Sequence, residues 1–287
     1  MICGVKTKSV SHFHAGDGWK TNRAIRIWLA CFAEYSGMFD ECTVVVASDH
    51  PDDRYFNNEV VTEITKHCFC KNVEIKIVEN TCYRESKTFY DEIVQKRFDG
   101  LTFFNHTKGE TNYAKHDKDS IDDWIIGAWF LSLMDMENTV PVLLHAGSKN
   151  AGSFFYGSFS MINKDGSIPA DLCYHGTFYW TNMEWIRNEI GSGLKCEIPA
   201  LSSRLYAEKF PGYILSHWPP VSGSNGTFLL KGFRSFNFYL PLDMYSGNSA
   251  YWCIYTLAER YGSWVLEGFK KLKEKVNNEL AKHEISN

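Results

Sequence analysis

The chain has no apolar run long enough to span a bilayer, so no transmembrane segment is expected in its 287 residues. It has no surplus of positive charge. Thirty Lys and Arg stand against 34 Asp and Glu, for a formal net charge of -4. A duplex nucleic-acid binder usually carries a basic surface, so nucleic acid is not an expected partner. No apolar stretch follows Lys6 and Lys8, so no signal peptide is predicted. The nine cysteines form no disulfide framework. They are scattered, odd in number and mostly in apolar or strand-like surroundings, the pattern of reduced thiols in a cytoplasmic protein. His67-Cys68-Phe69-Cys70 hints at zinc, but no second Cys or His pair stands at the spacing that a closed four-ligand site needs. Internal repeats and low-complexity tracts are also missing.

What remains is an ordinary globular composition, 44% apolar and 22% charged, able to bury a large core. Aromatic residues reach 15%, with nine Trp and fifteen Tyr. Many must line that core, and the excess also suits a site that receives a sugar.

Alternation of strand and helix patterns organises the first half. Val5–Phe13 reads as a strand, followed by a helix from Trp19 or Thr21 to Tyr35 with Ile25, Trp28, Leu29 and Phe32 on one face. Thr43–Ala47 is a β-branched run and so a buried strand; Arg54–Lys66 is helical; Val73–Val78 is a third strand; Ser86–Phe98 is a helix. Leu101 opens a fourth strand. Strands separated by single helices predict an α/β domain with a mostly parallel sheet. Beyond it, Glu110–Asp119 is polar and expected to be mobile. Ser120 is expected to cap a helix running to about Met134. Val140–Ala146, Ser153–Ile162 and Thr177–Trp180 read as strands, and Asn182–Ile190, Leu201–Phe210 and Ser249–Tyr261 as helices. Pro211–Asn248, rich in Gly, Pro, Ser and aromatics, has no assignable regular structure, and a loop of that length is usually functional. Ser263–His283 is a charged amphipathic helix with Trp264, Val265, Phe269, Leu272 and Val276 apolar.

The most informative stretch is Leu101–Gly109, Leu-Thr-Phe-Phe-Asn-His-Thr-Lys-Gly. Its apolar half suits a buried strand, and its polar half then lies at the strand's carboxyl end, where open α/β sheets bind ligands. Asn105, His106, Thr107 and Lys108 can all donate hydrogen bonds, none is a carboxylate, and Gly109 lets backbone approach closely. Such a loop suits an anion, which we take to be the diphosphate of a nucleotide sugar. The competing reading is a plain turn with a solvated lysine.

Phe103-Phe-Asn-His-Thr-Lys-Gly, with Trp124 in the next helix, resembles the "Tyr-x-His-(Thr/Ser)-Lys-Gly … Trp" signature of a family of bacterial and viral glycosyltransferases related to those of rhamnan synthesis. Asn80-Thr-Cys-Tyr-Arg84-Glu85 resembles its "Asn-x-Gly-Arg-(Asp/Glu)" segment, with Cys82 in the glycine's place. His175-Gly-Thr-Phe-Tyr-Trp180-Thr-Asn182 and Arg204-Leu-Tyr-Ala-Glu208 resemble its aromatic strand and the following "Arg-x-x-x-Glu". The resemblance runs in order over roughly residues 10–218. It implies a GT-A-like nucleotide-diphospho-sugar transferase domain over residues 1–218, with residues 219–287 forming an aromatic loop and C-terminal helices packed on it.

On that basis Lys108 and His106 hold a UDP- or GDP-linked donor's diphosphate, helped by Asn105, Thr107 and Gly109. His14, in the loop after the first strand, joins Asn80, Arg84 and Glu85 on the nucleoside side. Arg84 to Ser86 also read as an ordinary helix start, with Glu85 at the positive end of the dipole. Glu208 is the expected base for the acceptor hydroxyl, with Glu184 and Asp123 as alternatives. Trp180, His217 and Trp218 are the expected contacts of a glycan acceptor. No metal or other cofactor is expected, because cationic side chains stand where an Asp-x-Asp pair would be needed; manganese or magnesium is the alternative. Asp135-Met-Glu137, at a helix end, reads as surface. A non-catalytic glycan- or nucleotide-binding protein on the same scaffold is the rival function. A two-domain GT-B enzyme is a weaker one, since the chain is short for it.

Overall fold

The structure is a computed structural model that describes residues 2, 4–82, 84–107, 113, 117–134, 136, 150–152, 155–156, 173–174, 178–184, 187, 207, 254–255, 258–259 and 262–284. Four parallel strands, β1 (Thr7–Ala15), β2 (Glu41–Ser48), β3 (Val73–Glu79) and β4 (Leu101–His106), form the greater part of one sheet. Short strands β5 (Asn150–Gly152), β6 (Phe155–Tyr156), β7 (Cys173–Tyr174) and β8 (Tyr179–Thr181) follow. β8 runs antiparallel between β4 and β5, so the six-stranded order is β3-β2-β1-β4-β8-β5; β6 and β7 pair separately. The expected α/β class with a mostly parallel sheet is therefore observed.

Helices α1 (Arg23–Tyr35) and α2 (Arg54–Lys66) link the first three strands. Asn22 caps α1 by accepting from Ile25 N at 3.2 Å, and Asp53 caps α2 by accepting from Tyr55 N and Phe56 N at 2.9 and 3.0 Å. These short polar side chains satisfy amide groups that the first helical turn leaves open. α3 (Arg84–Phe89) is shorter than the expected Ser86–Phe98 helix, because the chain widens into a π-helical turn at Tyr90–Val94. α4 (Lys118–Leu133) is capped by Asp117 and not by the expected Ser120, whose own N–H and hydroxyl donate to the Asp117 carboxylate.

Alternation along β1 and β4 sends Phe13 and Phe103 to one face. There they meet Trp28 and Phe32 of α1 and Trp129 of α4, with Trp28 and Phe32 stacked at 4.7 Å. On the other face Phe104 meets Phe89 of α3 at 5.1 Å. The C-terminal helix α5 (Trp264–Glu284) packs on α1 and α4 with Val265, Phe269, Leu272, Val276 and Leu280 inward. Trp264, expected on that apolar stripe, is 49% exposed. Gly268 lets α5 approach closely, since a Cβ there would sit 3.0 Å from the Phe130 ring. Among the described residues no helix is long and apolar enough to cross a membrane. The expected Val140–Ala146 strand, the loop at 211–248 and the boundary near residue 218 lie outside the described residues.

Candidate functional site

The order of the strands reverses beside β1. α1 leads away from β1 to β2, whereas the connection from β3 returns to β4 on β1's other side. Crevices at the carboxyl ends of strands flanking such a reversal are where open α/β sheets place ligands.

Strand ends meet there in step. Asp49 N donates to Ala15 O and Asn80 N to Ser48 O, each at 3.0 Å, so the side chains that follow β2 and β3 become neighbours. Asn80 Nδ2 donates to Asp49 Oδ1 at 2.7 Å and lies 3.1 Å from His14 Nε2. His14 Nε2 is 3.5 Å from the same Asp49 oxygen. Gly16 makes this approach feasible, since an added Cβ would lie 2.6 Å from Asp49 Oδ2. His50 Nε2 reaches Asp17 Oδ1 at 2.8 Å, joining the β1 and β2 loops at the rim. Thr107 fastens the end of β4 to β1, its N–H donating to His12 O at 2.9 Å and its hydroxyl oxygen accepting from His14 N at 3.0 Å.

His106 is 5% exposed, with Nδ1 3.8 Å from Glu85 Oε1 at the start of α3 and its ring edge-on to Phe178. Arg84, exposed beside it, has φ +45°, an uncommon and strained value for a residue with a side chain. Below the crevice, His12 Nδ1 pairs with Thr88 Oγ1 at 2.9 Å. Burial, reinforced by His14 and Arg84, lowers the His12 pKa to about 3, so the ring is neutral at ordinary pH. A cavity of about 80 Å³ between α3 and the sheet touches His12, Ala47, Glu79, Arg84 and Thr88. The segment expected to be mobile has an anchor, because Tyr113 donates its hydroxyl to Asp122 Oδ1 at 2.8 Å. Asp122 is also clasped by the Arg23 guanidinium at 2.6 and 3.0 Å.

His14, Asn80, Glu85, His106 and Thr107 thus come together at one edge, with Arg84 at its rim. Two expected ligand contacts are core residues. Asn105 is fully buried; its Oδ1 accepts from Trp28 Nε1 at 3.0 Å and its amide donates to Ser9 Oγ at 3.1 Å, so its hydrogen bonds support the sheet. Trp180 is also fully buried, donating Nε1–H to Ser132 O at 3.0 Å and packing on Phe39 and Phe103. It offers no face to an acceptor. Lys108, Gly109, Glu208, His217 and Trp218 lie outside the described residues. Of the alternative bases, Asp123 is paired with Lys273 of α5 at 2.5 Å, and Glu184 lies 3.6 Å from Arg187 Nη1.

Asp49 and Gly16 were missed by reading the sequence. The signal was available, since Ser48-Asp49-His50 ends a buried β-branched strand as Asn105-His106-Thr107 ends β4. The His106-Thr107-Lys108-Gly109 stretch holds no carboxylate, but topology brings Asp49 from the end of β2 and Glu85 from the start of α3 to the same edge. Among the described residues no three His, Cys, Asp or Glu side chains are placed to hold a metal ion. In comparison with known families and curated proteins, the chain matches no family model and no curated relative.

Proposed function

We propose that the chain is a GT-A-like glycosyltransferase that moves a sugar from a UDP- or GDP-linked donor to a glycan hydroxyl. One observation carries the reading: His14, Asp49, Asn80, Glu85, His106 and Thr107 converge on the crevice where the strand order reverses. The likeness of the His106-Thr107-Lys108-Gly109 stretch to the glycosyltransferase signature supports it.

The division of labour follows from donor and acceptor chemistry. Asp49 offers carboxylate oxygens to ribose hydroxyls, and Asn80 offers an amide that both donates and accepts. As the glycosidic bond to the diphosphate breaks, negative charge grows on the leaving oxygen and needs preorganised donors. Lys108 and His106 supply them, with the Glu85 carboxylate 3.8 Å from the imidazole Nδ1. Glu208 takes the acceptor's proton. In this reading Lys108 and His106 stand in for a divalent ion. Chelation with EDTA should leave transfer intact; loss of activity with rescue by manganese would assign the charge to a metal instead.

The deciding measurement is nucleoside-diphosphate affinity. UDP or GDP should raise the melting temperature by mass action. Lys108→Ala should remove most of that rise, and Thr111→Ala little of it. Equal effects of the two substitutions would discredit the anion site. Binding without turnover across a panel of nucleotide sugars would favour the non-catalytic rival.

A further inference from the structure

At the opposite, amino-terminal end of the strands, three cysteines meet. Cys42 is the second residue of β2, and Cys68 and Cys70 lie on the connection from α2 to β3. The connection from α1 to β2 holds them in place. Phe69 N donates to Ser36 Oγ at 2.8 Å, the Cys42 thiol to Ser36 O at 3.9 Å, and the Cys70 thiol to Phe39 O at 3.4 Å. Cys42 N donates to Asn72 O at 2.9 Å, which brings the two segments side by side. Cys68 and Cys70 are the neighbours that act most strongly on the Cys42 thiol. Cys42 and Cys70 are buried, whereas Cys68 is partly open to solvent. All three are free thiols.

We propose that Cys68 and Cys42 are an oxidisable pair, with Cys68 the entry point for a small disulfide and Cys42 the resolving thiol. The Cys68 thiolate attacks one sulfur of the reagent, whose S–S bond breaks and releases one small thiol. Cys42 then loses its proton and attacks Cys68 Sγ, displacing the second small thiol. Two protein thiols and one small disulfide become one protein disulfide and two small thiols, so atoms and electrons balance. The electrostatics agree with these roles. Contact with Cys42, against the opposing effect of burial, holds the Cys68 thiol below its usual range. Contact with Cys68 and Cys70, then burial, pushes Cys42 up. A low-pKa, accessible sulfur beside a buried partner is the arrangement of an attacking and a resolving cysteine. The Cys70 thiol is also lowered by contact with Cys42, to about 7, but Cys70 is less suited to entry on access, because it is 7% exposed and its thiol is engaged by Phe39 O and Asn72 O.

The bridge would close a loop containing α2 and stabilise the fold chiefly by restricting the unfolded chain. It lies away from the carboxyl-edge crevice and does not depend on the functional reading. The test is to incubate the full chain with glutathione disulfide, block remaining thiols and digest with trypsin. Cleavage after Arg26, Arg54, Lys66 and Lys71 places Cys42 on the peptide Ile27–Arg54 and Cys68 on His67–Lys71. A linked mass of those two peptides is expected, with a higher melting temperature that dithiothreitol reverses. Each peptide holds a second cysteine, so variants assign the bond: Cys68→Ser should abolish the link, whereas Cys70→Ser and Cys31→Ser should keep it. Cys68→Ser changes a partly exposed position and leaves the buried sulfurs in place. Glutathione retained on Cys68 without a link, a link that survives Cys68→Ser, or reaction confined to the exposed Cys82 would each overturn the proposal.

Discussion

Between the sheet and helices α1 and α4 the buried space is filled by Trp28, Phe32, Phe103 and Trp129, whereas the space under α3 holds His12 on Thr88 and Glu92 between Lys76 and Lys96. The first face is held by aromatic area, which is indifferent to pH. The second is held partly by pairs whose strength depends on protonation. It is also the face that carries Arg84 and Glu85 up to the crevice and sets His12 beneath His14. Stability and the candidate chemistry are thus assigned to different sides of one sheet. Substitutions on the aromatic face should change melting without touching affinity, and those near α3 should tie stability to pH.

The largest effect is expected from Trp129→Ala. Its ring lies between 5.6 and 6.1 Å from those of Trp28, Tyr35, Phe103 and Phe178 and is fully buried. Removing it should cost about 3–5 kcal/mol, from lost transfer energy and the cavity left behind. Denaturant unfolding measures this. A cost below about 1 kcal/mol would show a face able to collapse around the gap and would blunt the contrast between the two sides.

Next comes His12. Its folded pKa of about 3 lies below the ordinary value of 6.5, so the unfolded chain binds the extra proton first. Its contribution is complete above pH 6.5 and declines as pH falls towards 3. The sign predicts a loss of about 2 kcal/mol between pH 7 and pH 5. His12→Gln, which keeps a polar partner for Thr88, should flatten that part of the stability profile. An equally steep decline in the variant would move the titration elsewhere.

Glu92 gives a smaller effect on the same side. Burial alone would raise its carboxyl pKa, but Lys76, with Nζ 2.8 Å from both oxygens, and Lys96 at 2.6 Å hold it below the ordinary carboxylate range. Its contribution is present above the ordinary carboxyl pKa of 4.5 and is lost as pH falls below it. Both lysines reach solvent, so Glu92→Gln should cost only about 1 kcal/mol at pH 7 and nearly nothing at pH 3. A cost independent of pH would mean that the side chain acts through packing.

Local pattern made the scaffold legible. β-branched runs marked β2 and β3, helical spacing marked α1 and α2, and α2 spans the expected Arg54–Lys66. Asp117 displaced Ser120 as a cap because two short polar side chains compete for the same turn, and spacing alone does not rank them. At the site, His14, Asn80 and His106 were legible because each lies at or just past the carboxyl end of a strand. Asn105 was not, because the partner that claims its amide, Trp28, lies 77 residues away. Trp180 looked like a sugar platform in an aromatic strand, but β8 is wedged between β4 and β5 and is buried throughout. Periodicity encodes what an element is and which side it buries. Which loops converge is set by strand order, and that is why Asp49 emerged only once β2 stood beside β1.

The smallest effect is the one that separates the crevice from the scaffold. Asn80→Ala removes an amide that donates to Asp49 at 2.7 Å on a partly exposed surface, so its loss should scarcely alter melting. If Asn80 also bonds the nucleoside, the variant loses one ordinary hydrogen bond, about 1 kcal/mol, or roughly a fivefold higher Kd for UDP or GDP. Trp129→Ala should show the reverse, a large fall in melting temperature with an unchanged Kd wherever the protein is still folded. Were Asn80 only a brace for the Asp49 loop, its replacement would lower melting and leave the Kd alone, moving it to the same side of the comparison as Trp129. Calorimetric titration of the two variants beside their melting curves distinguishes a ligand contact from a support even at this modest magnitude, because the two roles shift different observables.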